Sequence, residues 1–281
     1  MKKAILLVSF GTTYYDTRKV TIDAIEEKVK RAYKDYEVRI AFTAHIIINI
    51  LKKRDGIIEL TPEEALEKLY KDGYEDIIVQ PLHIIPGAEF DYIKDVVDQY
   101  TVKKYFNSIK VGRPMLYFKG HEEEIPDDYS ILIEAIDKLL NSYDNLVLMG
   151  HGTSHYSNAA YTCFQQVLKD KGYNKVIVAN VEGYPTLEDV IPKLKAKNMN
   201  KLTLAPLMVV AGDHAKNDMA SDEDDSWKSI LEAEGFEVNI HMHGLGEISE
   251  FQDVYVDHIK DAIDKRYDNL GKTSKGKNLF G

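Results

Sequence analysis

The chain has 281 residues, enough for two ordinary domains or one large one, and it needs no metal or disulfide staple to fold. With 44% hydrophobic and 29% charged residues it sits near the soluble globular average, which excludes disordered, collagen-like and fibrous classes. Its 46 acidic against 36 basic residues give a net charge of -10, which argues against a general nucleic-acid binder and favours cations or small molecules as ligands.

In chain order, Met1-Lys2-Lys3 precedes a short apolar run that is briefer than the roughly 7 to 15 residues of a signal h-region, and no small-residue cleavage site follows. The run reads instead as a first strand, Ala4 to Ser9. Further strands are expected at Val38 to Thr43, Asp76 to Pro81, Ser108 to Val111, Asn145 to Met149, Lys175 to Ala179, Lys201 to Pro206 and Glu237 to His241. Helical segments lie between them. The clearest begins at Thr61 as N-cap, with Pro62 at the first helical position, Glu63 and Glu64 in the first turn and Gly73 as the stop. No apolar run approaches the roughly 18 to 20 residues of a membrane span, so no membrane contact is expected. One cysteine, Cys163, excludes an intramolecular disulfide and any four-thiolate site, and the expected compartment is the cytoplasm. Strands alternating with helices predict an α/β fold with parallel sheets covered on both faces.

An internal repeat sets the architecture. Leu6 to Tyr15 lines up without gaps on Val147 to Tyr156, and each segment is a strand running into a Gly-Thr turn. Pro81 to Glu89 lines up on Pro206 to His214, in the same order and again at strand ends. The prediction is two similar open parallel-sheet domains, residues 1–125 and 126–281, facing each other across a cleft. The join falls near Tyr117 to Asp127, and the last helix is free to pack back on the first domain.

Ligands of open parallel sheets bind outside the carboxyl ends of the strands. The repeat puts its polar residues there. His151 is expected directly after a strand, Glu182 after the next and His214 after the third, with Glu89 as the first-half counterpart of His214. Each has a plain alternative: a lone histidine is more often a loop residue, and Glu182 suits a helix N-terminus. The equivalent of His151 is Phe10, however, so the turn does not need an imidazole. Gly11, Gly87, Gly152 and Gly212 match neither the dinucleotide fingerprint nor a P-loop and read as turn residues. His151 and His155 are four apart, but a turn at His151 argues against a helical zinc pair, and no His-Glu-x-x-His or Gly-x-Ser-x-Gly motif is present. Cys163 reads as a buried structural thiol in a helix. The run Asp222 to Asp225 reads as a solvated helix start with Ser221 as cap, and secondarily as a gathering point for divalent cations. Two histidines with one or two carboxylates suit cobalt, iron, nickel or zinc better than magnesium or calcium.

At these residues the chain resembles the anaerobic-pathway sirohydrochlorin cobaltochelatase family, the CbiK type, within the superfamily that includes ferrochelatases. The resemblance runs over nearly the whole chain and is carried by Ser9 to Arg18, Pro81 to Phe90, Gly150 to His155, Val181 to Pro185, Pro206 to Met219 with the acidic run to Trp227, and Gly244 to Glu247. Ala88 and Phe90 depart from the acidic residue and tyrosine expected beside Glu89. The resemblance implies insertion of cobalt(II) into sirohydrochlorin during cobalamin synthesis. It implies His151, Glu182 and His214 at the metal, His151 and His214 as catalytic residues with His151 as proton acceptor, and Glu89 facing them across the cleft to orient the ring or take the second proton. No organic cofactor is implied, the divalent metal being a substrate, and a homo-oligomer is left open. Sirohydrochlorin or porphyrin ferrochelatase activity, a carrier without turnover and a metal-dependent hydrolase are the alternatives.

Overall fold

The computed structural model describes residues 2–122, 124–268 and 270; the end of the second expected unit, residues 271–281, lies outside them. The first half runs β1 (Lys3–Ser9), α1 (Tyr15–Val20), α2 (Ile22–Ala32), β2 (Glu37–Phe42), α3 (His45–Asp55), α4 (Pro62–Lys71), β3 (Asp76–Pro81), α5 (Ala88–Lys103) and β4 (Ser108–Val111). The second runs α6 (Asp128–Ala135), α7 (Asp137–Leu140), β5 (Leu146–Gly152), α8 (Ala159–Asp170), β6 (Val176–Glu182), α9 (Leu187–Ala196), β7 (Lys201–Pro206), α10 (Trp227–Ala233), β8 (Glu237–Ile240) and α11 (Ser249–Asp264). Local signals do what their chemistry requires. At α4 the Thr61 hydroxyl accepts from the Glu64 N–H while the Glu64 carboxylate accepts from the Thr61 N–H, closing a capping box behind Pro62.

Two four-stranded parallel sheets form, ordered β2-β1-β3-β4 and β6-β5-β7-β8. The repeat is exact in register: Val8 pairs with Pro81 and Met149 with Pro206, and the Leu82 and Leu207 N–H groups donate to the Val8 and Met149 carbonyls, both at 2.7 Å. Alternate residues of each central strand face opposite sides. Ile5 and Leu7 of β1 join Leu146 and Leu148 of β5 in one core shared by the two sheets, whereas Leu6 and Val147 face separate outer cores.

The last helix crosses back to the first half. After β4 the chain enters α6, which packs on α8 of the second half, and α11 returns to pack on α2 and β3 of the first. A buried polar cluster fixes that return. Arg113 donates to Asp128 (3.0 Å) and to Asp261 of α11 (2.7 Å), and His258 of α11 donates through Nδ1 to the Arg113 carbonyl. Among the described residues no helix is long and apolar enough to cross a membrane.

Three local expectations are corrected. Strands β5 and β6 run three residues past their expected ends, so His151 and Glu182 are strand residues, not turn residues. Glycine, which reads as a strand breaker, here permits the extension: Gly152 pairs with Glu182, and a Cβ on it would stand 1.5 Å from the Glu182 carbonyl oxygen. The helix after the acidic run starts at Trp227 with Ser226, not Ser221, as cap, because the Ser226 hydroxyl reaches the Ser229 N–H while Asp222 to Asp225 lie exposed in a turn. Cys163 lies in α8 as expected, but half-buried beside Tyr129, where burial pushes its thiol pKa up.

Candidate functional site

In both sheets the strand order reverses between the first and third strands of the half, and the loops leaving such a pair diverge to open a crevice. The two crevices face one another and merge into one cavity of about 520 Å³. Its wall is built from the ends of β1 and β5, the segments following β1, β3, β5 and β7, and residues of α3, α5 and α8.

His151, His214 and Glu89 all line this cavity. The two imidazoles meet edge to face with ring centres 4.6 Å apart, and Phe10, the counterpart of His151, lies 6.4 Å from it. Their hydrogen bonds fix the protons. His151 Nδ1 lies 2.8 Å from the Gly152 carbonyl, which can only accept, so Nδ1 carries the hydrogen and, in the neutral ring, Nε2 keeps its lone pair. His214 opens a π-helical turn, Ala215–Met219, that brings the Asp218 carboxylate 2.5 Å from its Nδ1, with the same consequence. With both rings neutral, two Nε2 lone pairs stand in one cavity, a donor pair for a borderline metal ion or an acceptor for a proton.

Glu182 is not brought into this group. Its backbone pairs with Gly152, but its side chain is exposed at the end of the edge strand β6 and does not line the cavity. Among the described residues no three His, Cys, Asp or Glu side chains converge to hold a metal ion, and the acidic run Asp222 to Asp225 is exposed and outside the wall.

Sequence reasoning missed four features. Asp218 stands at i+4 from His214, a spacing visible in the sequence. The apolar run at the start of α3 is the second: Ile46, 68% exposed, and Ile50 join Phe10 in presenting bare hydrocarbon to the cavity. His83 also lines it. The fourth is a pair of contacts bridging the halves. Tyr14 donates to Asp213 at 3.2 Å while the Lys216 ammonium lies 3.7 Å from the Tyr14 ring centre. At the counterpart position His155 accepts the Ser157 N–H on Nδ1 and donates through Nε2 to Asp91 at 3.1 Å. Lys94 and then His155 hold the Asp91 carboxyl below its usual range, so the bridge faces an ionised acceptor. Tyr14 and His155 are equivalent in the repeat, as are Lys216 and Asp91.

Comparison with known proteins finds relatives over nearly the whole chain. Residues 3–264 match the family model described as cobalt chelatase (CbiK). The chain is 38% identical over 266 residues to a sirohydrochlorin cobaltochelatase of Salmonella typhimurium, covering 94% of this chain and 97% of that one. It is 31% identical over 266 residues to sirohydrochlorin cobaltochelatase CbiKC of Nitratidesulfovibrio vulgaris, covering 93% and 91%. Among solved structures, SirB from Bacillus subtilis with Fe3+ shares the fold, with a TM-score of 0.63 at 18% identity over 94% of this chain and 97% of that one.

Proposed function

The chain belongs to the cobalt chelatase (CbiK) family, and from that premise we propose that it inserts Co2+ into sirohydrochlorin, with the His151 and His214 pair as its working centre. The observation that carries the assignment of residues is the pair of Nε2 lone pairs, each fixed by a hydrogen bond on the opposite ring nitrogen. Metal insertion exchanges two ring N–H protons for one divalent ion, so the site must offer metal donors and a proton acceptor on the same face of the macrocycle.

His214, backed by Asp218, holds the ion. His151, backed only by a neutral carbonyl, takes the first pyrrole proton. Two imidazoles make an incomplete shell, from which the ion passes to four ring nitrogens. Glu89 reaches the cavity from the first half and orients the ring or takes the second proton. Glu182 becomes a third ligand only by turning its exposed side chain inward when the ion arrives. Phe10, Ile46 and Ile50 offer the apolar surface that a flat macrocycle covers. The metal and the tetrapyrrole are both substrates, and no organic cofactor enters.

The test is a steady-state assay with sirohydrochlorin and cobalt(II), iron(II) or nickel(II), followed by the absorbance of the macrocycle. Turnover well beyond one equivalent per chain is expected with cobalt. His151→Ala is expected to lose about a hundredfold or more in kcat with an unchanged circular dichroism spectrum. Faster insertion of iron would make the protein a ferrochelatase, and product limited to one equivalent would make it a carrier.

A further inference from the structure

We propose that His83 is a substrate-binding residue whose imidazole hydrogen-bonds a carboxylate substituent of the bound tetrapyrrole. The inference rests on the chelatase reading and adds to it a contact that reads the periphery of the ring instead of its metal centre.

His83 is the second residue after β3, at the reversal of strand order, and it forms part of the cavity wall. Both of its ring nitrogens are buried, and neither has a hydrogen-bond partner. A neutral imidazole carries one donor and one acceptor, and leaving both unmet in a protein interior is unfavourable unless something else meets them. Burial pushes the His83 pKa down to about 4, so the ring stays neutral at physiological pH and keeps one N–H to give.

The fold does not demand an imidazole here. The repeat places Met208 in the same niche: the His83 carbonyl accepts from the Met115 N–H and the Met208 carbonyl from the Leu245 N–H, both at 2.9 Å. Leu82 and Leu207 precede them, both buried in the shared core. One half thus fills the niche with a side chain that needs no partner, and the other fills it with a side chain that lacks two.

The charge of the wall does not itself attract a carboxylate. Its charged residues are the acids Glu89 and Asp213, and no lysine or arginine is among the described residues that line it. The N–H groups of His151 and His214 are already engaged, and the Tyr14 hydroxyl donates to Asp213. A ring bearing carboxylates that enters this cavity therefore needs neutral donors; besides the hydroxyls of Ser9, Thr12, Thr13, Thr153 and Tyr161, His83 supplies an N–H with no prior commitment, offered when its buried imidazole turns toward the bound ring.

The experiment replaces His83 with Met, the residue of its counterpart. The expected result is a rise in KM for sirohydrochlorin of about ten- to a hundredfold, as for the loss of a hydrogen bond to a charged group, with kcat within about twofold. The Kd for Co2+, measured by calorimetry without tetrapyrrole, should not change. His83→Gln, which retains an N–H donor, should recover part of the KM, and His83→Leu carries the same test if the Met variant does not fold. An unchanged KM in a folded apolar variant overturns the proposal. So does weaker Co2+ binding, which would place His83 on the ion, or a fall in kcat at constant KM, which would make it a proton acceptor. Wild-type protein that fails to turn over sirohydrochlorin defeats the chelatase reading itself, whereas normal wild-type turnover with an unchanged variant KM defeats only this contact.

Discussion

His151 and His214 present the same ring nitrogen but are supported differently, and the roles we propose for them rest on that difference. A carbonyl partner orients an imidazole; a carboxylate partner also raises the donor strength of the far nitrogen. Under the proposed function His214 with Asp218 is thus the better ligand, and His151 the residue freer to exchange a proton. Asp218→Asn keeps a group of the same size and removes the charge, and it should weaken Co2+ binding about ten- to a hundredfold in calorimetry without tetrapyrrole. Unaltered affinity would detach Asp218 from the metal. At this scale the sequence was informative wherever the repeat spoke: it put His151, His214 and Glu89 at strand ends that converge on one cavity. The same logic expected Glu182 beside them, but β6 is an edge strand whose last side chain has no outer neighbour to turn it inward. His83 carries no such signal in the sequence, because what marks it is the absence of partners, which exists only once the chain is folded.

At the scale of elements, the capping chemistry of α4 and the apolar runs of the strands were legible because each depends on residues a few positions apart. The extension of β5 and β6 was not, because it depends on two strands meeting. Gly152 holds φ at +74° and brings its Cα against the Glu182 carbonyl, closer than any side chain permits. The left-handed backbone alone costs a residue with a Cβ roughly 1–2 kcal/mol, and the clash with backbone adds to it. Gly152→Ala should therefore lower stability by at least about 2 kcal/mol in urea unfolding. It should also cut turnover, since the Gly152 carbonyl that fixes the His151 proton belongs to the displaced segment. A variant of wild-type stability and rate would show that the ends of β5 and β6 separate freely and that their pairing does not set the His151 ring.

For the molecule as a whole, the repeat predicts two units, and we propose residues 1–125 and 126–281 as the duplicated segments; the packing argues that neither is a unit of stability. The return of α11 from the second half leaves the first sheet covered by a helix from beyond its own last strand. The sequence left this return open without settling it, because an amphipathic helix records that it has a buried face but not which sheet will cover it. One core joins Ile5 and Leu7 to Leu146 and Leu148, and within it Arg113 and Asp128 are tied to Asp261 of α11 by charges too buried to separate without large loss. Opening one half exposes the inner face of the other. Trp227, the one tryptophan of the chain, sits on α10 in the outer core of the second half and reports on that half alone. Its fluorescence and the far-ultraviolet circular dichroism of the whole chain should therefore trace a single coincident transition in urea, and residues 1–125 expressed alone should not fold. Two separated midpoints, with Trp227 following only one of them, would mean that the shared core does not couple the halves and that the cleft between them opens at little cost.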